Sequence, residues 1–343
     1  MHLESNQRVR HWSDSLPVQA IKWLSQLLRT PLSALGTLGV VFFVLVAIFG
    51  DQLAPFNFDE NAFNNNDLYP PYKAPDCFGD GAIHVPIVDY HTRLFDPLNA
   101  ECKNPFGTDK LGYDVYSRVI LGTREIFRLA GLGTLVAVLI GTTIGLFIGY
   151  WGGWPDEIVS RLLDSLLSIP ALLLALILLG TLPESATLPV IDYHLPLLKN
   201  SILIVLVVVY SPIVARVVRS NVLSVKTQGF VEAAQLRGES TFYILWREIL
   251  PSVIPALVVE ASLRFSYAIF LVASLGFLSL GANPPTPNWG LMVNDAYNNQ
   301  DYICNEFQCY DWTLIYPAAA IVLLVISVNL MSDGIKRLVQ RSG

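Results

Sequence analysis

Two polar features interrupt an otherwise apolar chain, and both are built from residues that can do chemistry. The first is the island Phe230-Val231-Glu232-Ala233-Ala234-Gln235-Leu236-Arg237-Gly238, which runs on to Ile249-Leu250-Pro251 between two apolar runs. Its Glu-Ala-Ala triplet favours helix, and the glycine six positions after the Glu supplies the backbone freedom for a helix exit. That is the makeup of a short helix docked outside a bilayer onto another protein. The second feature is Glu260 with Arg264, four apart and in the order that best supports a helical ion pair. Either charge alone costs about 2.5–3.5 kcal/mol at the centre of a membrane helix, so such residues face a bundle interior or a water-filled path. Two readings follow: a self-neutralised pair near the inner interface, or a pair lining a conduit that meets a charged solute.

Enzymatic signatures are missing. The chain has no GxxxxGK[ST] phosphate loop, no HExxH and no GxSxG. The histidines, His2, His11, His84, His91 and His194, fall outside the apolar cores, and no series of embedded carboxylates forms a proton relay. No catalytic residue is assigned, and energy for uphill movement has to enter from another subunit.

The four cysteines, Cys77, Cys102, Cys304 and Cys309, all lie in acidic loops. An even number confined to one side fits disulfide-stapled loops in an oxidising compartment. Pairing of Cys77 with Cys102 and of Cys304 with Cys309 is preferred, although four cysteines permit three connectivities. A competing reading is a zinc or nickel site from Cys77, His84, His91 and Cys102. Their spacing matches no compact ligand pattern, and no metal is assigned.

The elements that position these residues are membrane spans. Hydrophobic residues make up 53% of the chain and charged ones only 15%, with a mean hydropathy of +0.48. Between clusters of charge lie Leu32 to Gly50, Ile126 to Tyr150, Leu162 to Leu182, Ser201 to Val218, Ile254 to Leu280 and Thr313 to Met331. Each approaches or exceeds the roughly 18–20 residues that cross a hydrocarbon core as a helix. The reading is an all-α integral membrane protein with six transmembrane helices and both termini on one side.

Lys and Arg in short loops set that side as cytoplasmic. They are Arg8, Arg10, Lys22 and Arg29 before the first span, Arg161, then Arg219, Lys226, Arg237 and Arg247 around the island, and Lys336, Arg337 and Arg341 at the end. The alternate segments are acidic: Asp59, Glu60, Asp67, Asp76, Asp80, Asp89, Asp96 and Glu101, then Asp295, Asp301, Glu306 and Asp311. The net charge of −6 is mostly this outward excess and argues against nucleic acid as a partner. Ile21, Leu24, Leu27 and Leu28 share a helical face, which suits either a helix in the inner interface beside membrane lipid or an ordinary solvated lead-in to the first span. The leading segment lacks the apolar core and cleavage site of a removable signal peptide.

Within the spans, Gly141, Gly145 and Gly149 leave a groove for a neighbouring helix, a packing device rather than a chemical one. Pro170, Pro212 and Pro255 each remove a donor and kink or begin a helix. The Asn-, Asp- and Pro-rich stretch from about Phe56 to Asn104 reads as a long loop or irregular insert that permits disulfides. The resulting division is 1–30 interfacial, 31–50 first span, 51–118 extracytoplasmic insert and 119–343 permease core, with the island in a cytoplasmic loop at about 219–252.

The island resembles the cytoplasmic coupling motif of ABC importer permeases in Glu232, Ala233, Ala234, Gly238, Leu250 and Pro251. Further blocks resemble the dipeptide, oligopeptide and nickel branch. They are Leu53-Ala-Pro, Phe106-Gly-Thr-Asp-Lys-Leu-Gly-Tyr-Asp-Val-Tyr-Ser-Arg118 with Gly122-Thr-Arg124, Gly152-Gly-Trp-Pro-Asp156 with Leu166-Leu-Ser-Ile-Pro170, and Ala273-Ser-Leu-Gly-Phe-Leu-Ser-Leu-Gly281 with Pro284-Pro-Thr-Pro-Asn-Trp-Gly290. The chain departs from the family pattern at Val272 and Tyr113, where related permeases often carry Glu and Arg. The resemblance implies a C-type (second) permease beside a related B-type one, two ATP-binding subunits that hold ATP and Mg, and a substrate-binding protein outside. Coupling would pass through Glu232, Ala233, Ala234, Gln235, Leu236, Arg237 and Gly238. A channel or secondary transporter is the alternative.

Overall fold

The computed structural model describes residues 30–55, 105–181, 201–280, 286–301 and 310–342, and every element among them is helical apart from one isolated bridge between Thr108 and Asp114. Helix α1 spans Pro31–Leu53, α2 Val115–Trp151, α3 Gly153–Leu167, α4 Ala171–Thr181, α5 Ser201–Val225 and α6 Gly229–Leu236. Helix α7 runs Thr241–Phe277, α8 Trp289–Asn298 and α9 Trp312–Ser342. Five of these are long and apolar enough to cross a membrane, and α3 with α4 forms a sixth segment bent by 92°.

The break is sharper than the kink or helix start expected at Pro170 within Leu162 to Leu182. Pro170 donates no backbone hydrogen bond and disfavours helical angles at Ile169, so α3 ends at Leu167, capped by Ser168, and α4 begins at Ala171. Prolines inside α5, α7 and α9 are carried within the helices instead. Pro255 therefore does not begin the fifth span. That helix starts at Thr241, where the Ser240 side chain accepts from Tyr243 N at 3.3 Å, and it widens into a π-helical stretch over Ile244–Ile249. The ring of Pro251 opposes the carbonyl of Arg247, and a wider turn relieves that clash.

Helix α2 starts at Asp114, whose carboxylate accepts from Ser117 N at 2.7 Å. It then lies along α5 through the glycine groove. A Cβ at Gly141 would sit 2.6 Å from Ser211 O, and one at Gly145 2.6 Å from Ala215 O; at Gly149 it would meet Val222 Cβ at 2.8 Å. Only glycine permits this approach, and Val214, Val218 and Val222 fill the groove. Helix α1 packs on α9 in the same way, with Gly36 against Leu330 and Gly39 against Ser327.

Two large apolar cores result among the described residues, beside a small one of Ile148, Leu163 and Ala215. One joins α1, α2, α5, α7, α8 and α9 around Ile126, Leu206, Leu275, Trp289 and Leu324. The other joins the far ends of α2 and α5 to α6 and the start of α7, around Leu146, Val218, Val222, Val231, Ile244 and Ile249.

Candidate functional site

Helix α6 follows α5 after a turn of three residues, 226–228. Lys226 fixes that turn by donating to Gly149 O at 3.0 Å. Val231 and Ala234 are fully buried on its inner side, packed into the core formed with Ile244, Leu245 and Ile249. Glu232, Ala233, Gln235 and Leu236 are exposed. Leu236 is 90% exposed, far beyond what an apolar residue gains by facing water, and Phe230, Phe242 and Trp246 lie exposed nearby in sequence. The two alanines thus part company: Ala233 faces outward, while Ala234 seats α6 on its own chain.

Gly238 ends the helix with φ +75, the left-handed region that favours glycine. Its N–H donates to Gln235 O at 2.9 Å, and Glu239 N donates to Ala234 O at 3.2 Å, the two bonds of a Schellman exit. Nothing lies within 4 Å of a Cβ at this position, so backbone angle and not crowding selects glycine. Glu232 stands in the first turn, where its charge complements the helix dipole. Among the described residues its carboxylate has no hydrogen-bond or ion-pair partner. Gln235 donates to the Tyr150 hydroxyl at 3.4 Å, and Arg237 stays half-exposed, 3.6 Å from Glu239 and 3.7 Å from Glu248.

Sequence reasoning missed the clasp beneath this helix. Asp156 at the start of α3 accepts a bidentate fork from Arg219 of α5, at 2.5 Å from Nε and 2.8 Å from Nη2, and Ser160 adds a third bond. Asp164, two turns on, pairs with Arg216. Aspartates eight apart in α3 and arginines three apart in α5 were the available signal.

In α7, Arg264 Nε lies 2.7 Å from Glu260 Oε1, and both side chains are largely buried. The contact is an ion pair without hydrogen-bond alignment, and among the described residues neither side chain has a hydrogen-bond partner. The Arg264 guanidinium sits 5.0 Å over the exposed Tyr267 ring, and buried Tyr210 of α5 lies close enough to feel its charge. Glu260 is ten residues past Leu250, and Arg264 is thirteen before Phe277. At the helical rise these are about 15 and about 20 Å. The pair is therefore near the middle of the Leu250–Phe277 stretch.

A third cluster lies at the opposite end of the bundle from α6. Arg118 pairs with Asp109 at 2.5 Å and covers the Tyr113 ring at 5.2 Å. Trp289, fully buried at the start of α8, donates to Val119 O at 2.8 Å, and Gly122 leaves room for its ring. Trp312 donates to Thr108 O at 3.2 Å, and Thr313 to Asp301 at 2.7 Å. Burial holds the Asp295 carboxyl above the usual carboxylate range, helped by Asp109 and Asp301 and opposed by Arg118 and Lys110. Helix α8 itself was not foreseen, because its ten residues were read only as part of an acidic loop.

Cys77, Cys102, Cys304 and Cys309, with His84 and His91 and the interfacial stretch at Ile21 to Leu28, lie outside the described residues. Among the described residues no group of three or more His, Cys, Asp or Glu side chains is placed to hold a metal.

Comparison with known proteins bears on the whole arrangement. Residues 141–342 match the family described as binding-protein-dependent transport system inner membrane component, and residues 21–71 match the N-terminal transmembrane domain of oligopeptide transport permease C. The chain is 31% identical over 311 residues to the dipeptide transport system permease protein DppC of Alkalihalophilus pseudofirmus, covering 91% of this chain and 86% of that one. It is 36% identical over 231 residues to the glutathione transport system permease protein GsiD of Pectobacterium atrosepticum, covering 67% and 70%. With the probable D,D-dipeptide transport system permease protein DdpC of Escherichia coli it shares 36% over 259 residues, covering 75% and 79%. Among solved structures it is similar to an inward-facing form of the MetNI methionine ABC transporter, at a TM-score of 0.48 and 20% identity over 66% of this chain and 96% of that one.

Proposed function

The chain belongs to the family of binding-protein-dependent transport system inner membrane components and is a multi-pass inner-membrane permease of an ABC importer, and from that premise we propose that it carries peptides and is driven through α6. In this family ATP is handled by partner ATPases, a binding protein delivers the solute, and a second permease completes the membrane unit. We assign this chain as the C-type permease beside a B-type partner and two ATPase subunits. The peptide reading rests on the relatives, which are named for dipeptide, glutathione and D,D-dipeptide transport.

One observation carries the coupling role: the apolar seat of α6 on its own chain is Val231 and Ala234, yet the helix presents Leu236 at 90% exposure beside Glu232, which has no partner among the described residues. A helix with an apolar tip and an exposed carboxylate fits a cleft on another protein, and the arginines and lysines around it support a cytoplasmic location for that protein. On the same reckoning both termini are cytoplasmic, residues 51–118 form the extracytoplasmic insert, and 119–343 form the permease core. ATPase closure would push α6, and its continuity with α5 and α7 would carry the motion into the spans. Glu260 and Arg264 would line the path that opens.

The test is transport by reconstituted complexes bearing Gly238→Asp or Glu232→Lys. Both are expected to abolish uptake of a tripeptide while leaving this chain in the membrane with its partners. Normal uptake by both variants would remove α6 from the mechanism. ATPase stimulation by the loaded binding protein separates this reading from a channel or secondary transporter, which would show none.

A further inference from the structure

We propose that Arg264 is a carboxylate-binding subsite of the translocation path, held ready by Glu260 and taking the free C-terminal carboxylate of a peptide. The inference rests on the importer reading above and adds to it the chemical group that the path recognises.

Three features of the pair carry it. First, Glu260 reaches Arg264 only through Nε, at 2.7 Å, and among the described residues nothing accepts a hydrogen bond from the guanidinium. The two Nη groups are the edge that matches a carboxylate bidentately; no hydrogen bond from either is formed among the described residues, while the buried atom left without one is Nε. Burying a charged group with unmet donors is costly unless a partner arrives. Second, the surroundings orient the fork without satisfying it. The guanidinium carbon lies over the Tyr267 ring, 5.0 Å from its centroid, and a ring face contributes cation–π attraction but accepts no strong hydrogen bond. Glu260 keeps the arginine ionised and fixes its Nε side, so only the Nη side is open. Third, the two tyrosines near the pair differ in exposure: Tyr210 is buried, while Tyr267 is exposed. A pair that served only to cancel its own charge could turn both heads toward each other and form an aligned bidentate contact, and this one does not.

A peptide is matched by the arginine. Its terminal carboxylate takes the Nη edge, while Glu260 stays beside Nε and keeps the arginine charge balanced.

The test uses the complete transporter with its binding protein in proteoliposomes and measures uptake of trialanine. Arg264→Lys keeps the positive charge beside Glu260 and removes the planar fork. It is expected to lower trialanine uptake about tenfold, with the second permease and the ATPase subunits still retained on purification. The exchange variant Glu260→Arg with Arg264→Glu keeps a neutral pair at the same spacing but moves the carboxylate site by a helical turn, and uptake is expected to stay low. Wild-type uptake in Arg264→Lys, or recovery in the exchange variant, would overturn the proposal in favour of a purely internal ion pair. Loss of the second permease on purification of Arg264→Lys would overturn it in favour of a subunit contact. A wild-type complex that moves no trialanine at all would instead sink the peptide reading itself.

Discussion

The two ends of the bundle are held together by different physics. At the α8 end, buried polar groups cross-tie four segments: Trp289 to Val119, Trp312 to Thr108, Thr313 to Asp301 and Arg118 to Asp109. Phe106 stacks on Tyr316 at 3.9 Å to complete it. At the α6 end a single short helix rests on two small apolar side chains and a long hydrogen bond from Gln235. The first arrangement fixes one geometry, because each buried polar group loses about 1–3 kcal/mol if its partner moves away. The second permits displacement, because it rests on two apolar side chains and one long hydrogen bond, and burying a side chain as small as Val gives about 1.5–3 kcal/mol, the scale of one of the several ties at the other end. A rigid end and a loosely seated end on the same helices are what a subunit moved by its neighbours needs.

That contrast is broken most sharply at Trp289. Trp289→Ala removes a fully buried ring and its hydrogen bond and is expected to cost about 3–5 kcal/mol, read as a lower melting temperature of the purified complex. Leu236→Ala at the other end should stay within about 0.5 kcal/mol of wild type in the same melt while sharply reducing uptake. A melting shift as large as that of Trp289→Ala would mean that Leu236 is structural.

Gly145→Val tests the shared groove on which both ends depend. Its Cβ would stand 2.6 Å from Ala215 O, and overpacking of this kind costs about 1–3 kcal/mol. An unchanged melt would show that α2 and α5 do not approach so closely.

The smallest effect sharpens the account of the α8 end through pH. Because Asp295 holds its proton above the ordinary 3.8 when folded, the stability it contributes is full below that value and is lost as pH rises through the raised one. At neutral pH its charge is therefore a penalty. Asp295→Asn should raise the melting temperature slightly at pH 7, with the gain shrinking toward pH 4. A loss at pH 7 would mean that the carboxylate pairs favourably with Arg118 or Lys110.

Much of this was legible in the residues. Apolar runs located five spans, and the Gly141, Gly145, Gly149 spacing gave the groove. Gly238 announced a helix exit because no other residue takes a φ of +75 at so little cost. What escaped was set by tertiary context. The 92° bend at Pro170 could not be told from a mild kink, since proline requires a missing donor but fixes no angle. Helix α8 is short, and its apolar side is made by Trp289, Leu291 and Met292 finding α2 and α7, not by any long period. The start of α7 at Thr241 was hidden by the charges Arg247 and Glu248, which periodicity alone assigns to a loop. The opposite faces taken by Ala233 and Ala234 likewise depend on which side of α6 meets Ile244 and Ile249.

The central claim, that α6 is where an ATPase takes hold, is tested most directly by site-specific crosslinking. Gln235 is exposed and next to Leu236, so a photoreactive residue in its place should capture an ATP-binding subunit in intact cells, with a yield that changes when nucleotide hydrolysis is blocked. Capture of lipid alone, or of no ATPase in any nucleotide state, would contradict the account.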